Sequence, residues 1–254
     1  AGAAMYGVAG FDGVAPGASL LGLKISNDAH GGITVTGSML AAIDYAVRFA
    51  RARRLPLVLN LSFGVGNERE GAAVIDRMVD SVLAVHPDVV FTVSAGNDGP
   101  GLSTVGFPGS ASRVISVGAT YPAEFLPPRA DGRLHDDPVA FFSARGGELS
   151  RPHLVAPGMA YSTVPPFDRG GEETSGTSMA APHLAGLAAR LVSPMAQEGR
   201  SVDAASIRQA LIATARPVGK ATPLDMGYGV PDLEAALAWL SQKHPAEHVS
   251  VEAM

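Results

Sequence analysis

Asp88-Val89-Val90-Phe91-Thr92-Val93-Ser94-Ala95-Gly96-Asn97-Asp98-Gly99-Pro100 carries a short apolar run straight into a turn-rich stretch. A run of that length, bounded by Gly and Pro and rich in β-branched residues, predicts a strand buried on both faces. Strands of this kind belong to parallel sheets sandwiched between helices. Asn97 is then presented at the carboxyl end of the strand. Open α/β sheets hold their ligand crevice at that edge, and helix N-termini open onto it. A carboxamide placed there can donate N–H to an oxyanion, although an Asn that merely shapes a turn would look the same in isolation.

Working outward, strand and helix patterns alternate. Leu57 to Leu61 reads as a strand, as do Val114 to Val117 and the apolar stretch Ser19 to Ile25. Between them, Ser38 to Arg51 places Met39, Leu40, Ile43, Ala46, Val47 and Ala50 at helical spacing, and Gly71 to Val85 does the same with Val74, Ile75, Met78, Val82 and Leu83. Val202 to Ala215 and Pro231 to Leu240 read as amphipathic helices that close the domain. This alternation predicts an α/β fold: a doubly wound, mostly parallel sheet with helices on both faces. A single domain over residues 1–241 accounts for it, followed by a polar tail or linker at 242–254. Tyr121 to Pro138 breaks the rhythm with Pro122, Pro127, Pro128 and Pro138, and predicts a long exposed loop.

Gly176-Thr177-Ser178-Met179-Ala180-Ala181-Pro182-His183 opens another helix. Gly176 allows a turn that a side chain would forbid, and Ala180, Ala181, Leu184, Ala185, Leu187 and Ala188 continue as an apolar helix. Ser178 therefore sits where backbone N–H groups are unpaired and the helix dipole favours negative charge, as acyl transfer requires of its oxyanion site. A plain Ser N-cap explains the same letters without chemistry.

The 254 residues are 46% hydrophobic and 17% charged, enough for a large single core. With no cysteine there is neither a disulfide nor a cysteine metal cluster, which leaves both cytoplasmic and secreted locations open. A net charge of −5 argues against a nucleic-acid surface, and the basic cluster Arg51-Ala52-Arg53-Arg54 complements a helix C-terminus. No apolar run approaches the roughly 20 residues that span a bilayer. Gly64-Val65-Gly66 fails the dinucleotide pattern. His244-Pro245-Ala246-Glu247-His248 matches a zinc pattern in letters, but Pro245 spoils the helical face that pattern needs, and no metal site is expected.

Taken together, these residues resemble the subtilisin-like serine proteases, the subtilase family. Ser94-Ala95-Gly96-Asn97 is similar to the family's oxyanion motif, and Gly176-Thr177-Ser178-Met179-Ala180 to its nucleophile motif. Gly13-Val14-Ala15-Pro16-Gly17, Asn60-Leu61-Ser62-Phe63-Gly64, Arg113-Val114-Ile115-Ser116-Val117-Gly118-Ala119, Phe142-Ser143-Ala144-Arg145-Gly146, Val155-Ala156-Pro157-Gly158 and Gly227-Tyr228-Gly229-Val230-Pro231-Asp232 fall in family order. The resemblance covers roughly residues 7 to 240. The loop before Phe141-Phe142 further resembles tripeptidyl-peptidase-like subtilases.

The resemblance implies a serine endopeptidase acting on polypeptides, with Ser178 as nucleophile and Asn97 in the oxyanion hole. Ser62, Phe63 and Gly64 are implied as the wall that pairs with substrate, with Ser94, Ala95 and Gly96 as the facing wall of the specificity pocket. The family's Asp, and its His in a His-Gly-Thr-His motif, are not found; Asp12-Gly13 and Asp28-Ala29-His30-Gly31-Gly32 do not replace them. The chain is expected to begin just after the catalytic His, with Asp and His supplied by an upstream segment, and to be inactive alone. His183 is expected to pack, and His30, His86, His135 and His153 have no motif behind them. No cofactor is required. Calcium is possible as a structural ion, though Met5 to Pro16 offers only Asp12 as a carboxylate. Location is expected to be secreted or extracytoplasmic. A peptide-binding pseudoprotease is the alternative, and an α/β-hydrolase esterase is disfavoured because Ser178 lacks the Gly-x-Ser-x-Gly elbow.

Overall fold

A computed structural model describes residues 13–30, 33–66, 69–127, 137–148, 151–161 and 173–242. Two short strands, β1 (Ser26–Asn27) and β2 (Ile33–Thr34), pair antiparallel around a single 3₁₀ turn at Asp28–His30. Helix α1 (Thr36–Arg53) leads to β3 (Leu57–Leu61), and α2 (Val74–Ala84) leads to β4 (Val89–Ser94). After β5 (Ile115–Thr120) and β6 (Leu154–Pro157), the hairpin strands β7 (Met159–Tyr161) and β8 (Glu173–Ser175) precede α3 (Thr177–Gln197). Helices α4 (Ala204–Ala213), α5 (Pro223–Met226) and α6 (Leu233–Ser241) follow.

Strands β3, β4, β5 and β6 form one sheet in chain order, and every pairing in it is parallel. Alternation along β4 shows why helices cover both faces. Val89, Phe91 and Val93 point to one side and pack with Met39, Ile43 and Val47 of α1 and Val79 and Leu83 of α2. Val90 points to the other, into a larger cluster with Leu184, Leu191 and Val192 of α3, Ile207 and Leu211 of α4, and Leu240 of α6. The fold is thus doubly wound, as its alternating pattern predicts.

Helix α3 is buried along the stripe Thr177, Ala180, Ala181, Leu184, Ala188, Leu191, Val192 and Met195, whose spacing follows the helical repeat. Leu184 and Leu191 are fully enclosed, so truncating either to Ala costs about 2–5 kcal/mol. Asp203 caps α4 by accepting from Ser206 N at 3.0 Å, and Asp232 caps α6 by accepting from Ala235 N at 3.1 Å. The basic cluster is absorbed structurally: Arg51 pairs with Asp88 at 3.2 Å, and Arg53 lies 3.7 Å over the Phe49 ring.

One expected strand does not form. Ser19 to Ile25 runs without ladder partners, and its Leu20 and Leu21 are exposed. An isolated extended segment has no inter-strand hydrogen bonds to hold it, and among the described residues nothing pairs with this one. The stretch before it lies close against α3, where a Cβ on Gly186 would come within 2.6 Å of Val14 Cβ. The expected loop after Tyr121 contains a 3₁₀ turn at Ala123–Phe125. Residues 128–136 of that loop, the stretch 1–12 and the tail 243–254 lie outside the described residues.

Candidate active site

Parallel strands bring their carboxyl ends to one edge, and the walls of the site begin there. Past β4 the chain leaves the sheet through Ala95 and Gly96. Gly96 has φ +115°, a conformation that side chains disfavour. This turn presents Asn97 to the start of α3. Asn97 Oδ1 accepts from Thr177 N at 2.9 Å and from Thr177 Oγ1 at 2.9 Å. Thr177 Oγ1 in turn accepts from Gly96 N at 3.2 Å. With the carboxamide oxygen engaged twice, the orientation of the group is fixed and Nδ2 remains as its donor.

Gly176, with φ +149°, shapes the entry to α3. A Cβ at this position would lie 3.4 Å from Asn97 Nδ2, so carboxamide and helix entry touch. Ser178 is the second residue of α3 and is half-buried. Its neighbour across the site is Ser62, whose Oγ donates to Ser178 O at 2.9 Å. The structure therefore brings Ser178, Asn97, Gly96 and Ser62 together around the helix start.

The remaining expected residues divide by environment. Ser94 and Ala95 are buried, and the Ala95 side chain clusters with Val105 and Ala144, so only backbone can serve as wall there. Phe63 is half-buried, while Gly64 is exposed. A Cβ on Gly64 would stand 3.4 Å from Phe107 O.

Three contributors escaped the sequence reading. Thr177 was legible as part of the Gly-Thr-Ser motif but had no role until its hydroxyl was seen between Gly96 and Asn97. The second is the segment Val105 to Phe107, which ties the two walls together: Val65 and Phe107 exchange backbone hydrogen bonds at 3.1 Å, and Gly106 N donates to Ala95 O at 2.9 Å. Its glycines at 106 and 109 and Pro108 were the available signal. Behind it, α2 grips the following residues, with Asp76 accepting from Ser110 Oγ at 2.9 Å and Asp80 from Arg113 N at 2.8 Å. Burial raises the pKa of Asp76. The third is Asn60, whose Nδ2 donates to Ser62 Oγ at 3.1 Å.

Three of the described histidines, His86, His153 and His183, stand elsewhere. His153 precedes β6, and its Nδ1 accepts from Ser116 N at 3.0 Å near the amino end of the sheet, opposite the site. Burial and the charges of Arg208 and Arg151 press its pKa down to about 3. His86 precedes β4 at the same amino-terminal edge. His183 lies on α3 itself, five residues beyond Ser178 and so turned about 140° around the helix from it; burial lowers its pKa. His135 lies outside the described residues.

The subtilase family's sequence profile matches residues 1–230. The chain belongs to the subtilase family. Tripeptidyl-peptidase 2 of Drosophila melanogaster is 30% identical over 242 residues, which cover 91% of this chain and 16% of that protein. Subtilisin DY of Bacillus licheniformis is 32% identical over 237 residues, covering 92% of this chain and 73% of its own length. In three dimensions, the crystal structure of tripeptidyl peptidase 2 superposes with a TM-score of 0.71 at 28% identity, over 91% of this chain and 17% of that one. This subtilase chain thus spans about a sixth of tripeptidyl-peptidase 2. Its parallel sheet between helix layers is the subtilisin-like architecture, and the family is one of serine peptidases. No helix among the described residues of this subtilase is long and apolar enough to cross a membrane.

Proposed function

We propose that residues 1–241 form the larger part of the catalytic domain of a subtilisin-like serine endopeptidase, in which Ser178 attacks the scissile carbonyl of a polypeptide. Asn97 Nδ2 and the Ser178 backbone N–H hold the oxyanion, a His takes the serine proton and returns it to the leaving amine, and an Asp orients that His. The substrate lies extended along Ser62, Phe63 and Gly64, with Ser94, Ala95 and Gly96 opposite. No cofactor takes part in these steps, calcium having at most a structural place, and the protein works outside the cytoplasm. One juxtaposition carries this reading: Asn97 is hydrogen-bonded at 2.9 Å to the residue preceding Ser178.

The Asp and His come from a segment upstream of this chain, so the chain by itself is inactive. Two observations support this. Three described histidines are remote: His86 and His153 lie at the far edge of the sheet, and His183 is turned away along α3. Strand β3, Leu-Val-Leu-Asn-Leu, is apolar toward both helix layers, as interior parallel strands are, yet among the described residues it has a neighbour on one side only. A segment docking there would end beside Ser62 and Ser178.

Fluorophosphonate labelling of the longer protein tests the reading. An adduct on Ser178 that disappears on Ser178→Ala is expected. A folded longer protein that binds peptide without forming the adduct would overturn hydrolysis in favour of a peptide-binding pseudoprotease, the reading favoured by the remote histidines alone.

A further inference from the structure

Helix α3 contains Pro182 four residues after Ser178. In a regular helix the N–H of residue i bonds the carbonyl of residue i−4, so Pro182 stands where a donor to Ser178 O belongs and has no N–H to give. Its ring also crowds that carbonyl. A donor reaches Ser178 O from 116 positions away, the hydroxyl of Ser62 at 2.9 Å.

That hydroxyl is itself oriented. Asn60 Nδ2 donates to Ser62 Oγ at 3.1 Å, and Thr92 Oγ1 shares its one proton between Asn60 Oδ1 at 3.2 Å and Leu59 O at 3.3 Å. Because Ser62 Oγ accepts from Asn60, its own proton is directed at Ser178 O. Thr92 is fully buried in β4, so this relay begins in the rigid sheet and ends on the first turn of α3.

We propose that Ser62 is a positioning residue for the nucleophile, its hydroxyl replacing the amide that Pro182 lacks and fixing the first turn of α3 against the end of β3. The role is separate from any backbone pairing of Ser62 with substrate, and it rests on the reading of Ser178 as nucleophile. A loosened carbonyl frees the Ser178–Met179 peptide unit and slackens the first turn of α3, so the backbone of Ser178, and with it Oγ and the Ser178 N–H, is held less firmly in place. Small losses of alignment at a reacting atom are expensive in rate.

Rescue decides the matter, since Pro182→Ala restores a helical N–H to the same carbonyl. In the chain itself, the carbonyl carbon resonance of Ser178 is expected to move upfield in Ser62→Ala and to return in the Ser62→Ala/Pro182→Ala double variant; an unmoved resonance in Ser62→Ala would overturn the proposal. In the longer protein, the saturating rate of fluorophosphonate labelling is expected to fall about three- to ten-fold in Ser62→Ala, the worth of one hydrogen bond net of water. Half-saturation should stay constant, Ser62→Thr should keep the rate, and the double variant should recover it. A lowered melting temperature with an unchanged labelling rate would reduce Ser62 to a structural tie and sink the idea. Wild-type protein that takes no label removes the nucleophile reading and the positioning role with it, while the carbonyl resonance still decides the hydrogen bond.

Discussion

Asn97 and Thr177 hold each other by two hydrogen bonds of 2.9 Å, both ending on the carboxamide oxygen. The oxygen is thereby occupied and the nitrogen kept as the donor, so the hydroxyl of Thr177 sets the rotamer that the proposed oxyanion hole requires. Thr177→Val keeps shape and burial but strips one partner from Asn97 Oδ1 and the acceptor from Gly96 N. A loss of about 1–3 kcal/mol in urea unfolding is expected. Labelling of Ser178 in the longer protein should slow as well. Asn97→Ala should slow it about 10²- to 10³-fold, the magnitude measured for this donor in subtilisin, itself a member of the family. Equal labelling rates in Asn97→Ala and wild type would remove Asn97 from the oxyanion hole.

Gly176→Ala tests the same corner from the backbone. The φ of +149° strains any residue with a side chain, and the new Cβ would sit 3.4 Å from Asn97 Nδ2. Strain of about 1–3 kcal/mol is expected as a lower denaturation midpoint. Labelling should also drop, because relief of the φ strain shifts the entry of α3 against Asn97. A variant as stable as the parent would show that the turn relaxes easily.

Much of this geometry was legible in the chain. The apolar run Val89–Ser94 bounded by Gly96 and Gly99 could only be an interior strand, and Gly176 before an alanine-rich helix marked where α3 begins. Ser178 and Asn97 each read equally well as a plain cap and a turn residue, and it was the resemblance to the subtilases that joined them into one candidate site. Thr177 was hidden because its role lies in a contact across 80 positions, and no local pattern distinguishes a hydroxyl that orients from one that caps. Ser19 to Ile25 misled for the opposite reason: its letters suit a strand, but a strand exists only with a neighbour, and pairing is not written in one segment. Gly106, Pro108 and Gly109 marked a turn, but the pairing of Phe107 with Val65 was not legible because single bridges carry no periodicity.

That link makes Gly106 a test of the pocket walls. A Cβ there would come within 2.5 Å of Val65 O, which accepts from Phe107 N in the bridge. Since the obstacle is backbone, Gly106→Ala must part Val65 from Phe107, separating the Ser62–Gly64 wall from Ala95. Peptide binding to the longer protein, followed by calorimetry, should weaken at least ten-fold, equal to about 1.4 kcal/mol. Labelling by a small fluorophosphonate, which needs no extended groove, should change less. Equal loss in both would place Gly106 in the folding of the site instead of its walls.

His153 gives the chain a definite response to acid. Its folded pKa is depressed to about 3 by burial and by Arg208 and Arg151, whereas in the unfolded chain it titrates at an ordinary value of about 6.5. Above about pH 6.5 both states carry the neutral ring, and the residue contributes no pH dependence. Below it the unfolded chain takes up a proton that the native fold refuses, so stability falls from about pH 6.5 toward pH 3. The slope from this one group reaches about 1.4 kcal/mol per pH unit. Urea unfolding at intervals between pH 7 and pH 4 measures it. His153→Asn removes the titrating ring, keeps an acceptor for Ser116 N through Oδ1 in place of Nδ1, and should flatten that part of the curve. A variant curve parallel to that of the wild type would mean that His153 is protonated in the native fold and that its hydrogen bond with Ser116 N is broken in acid well before unfolding.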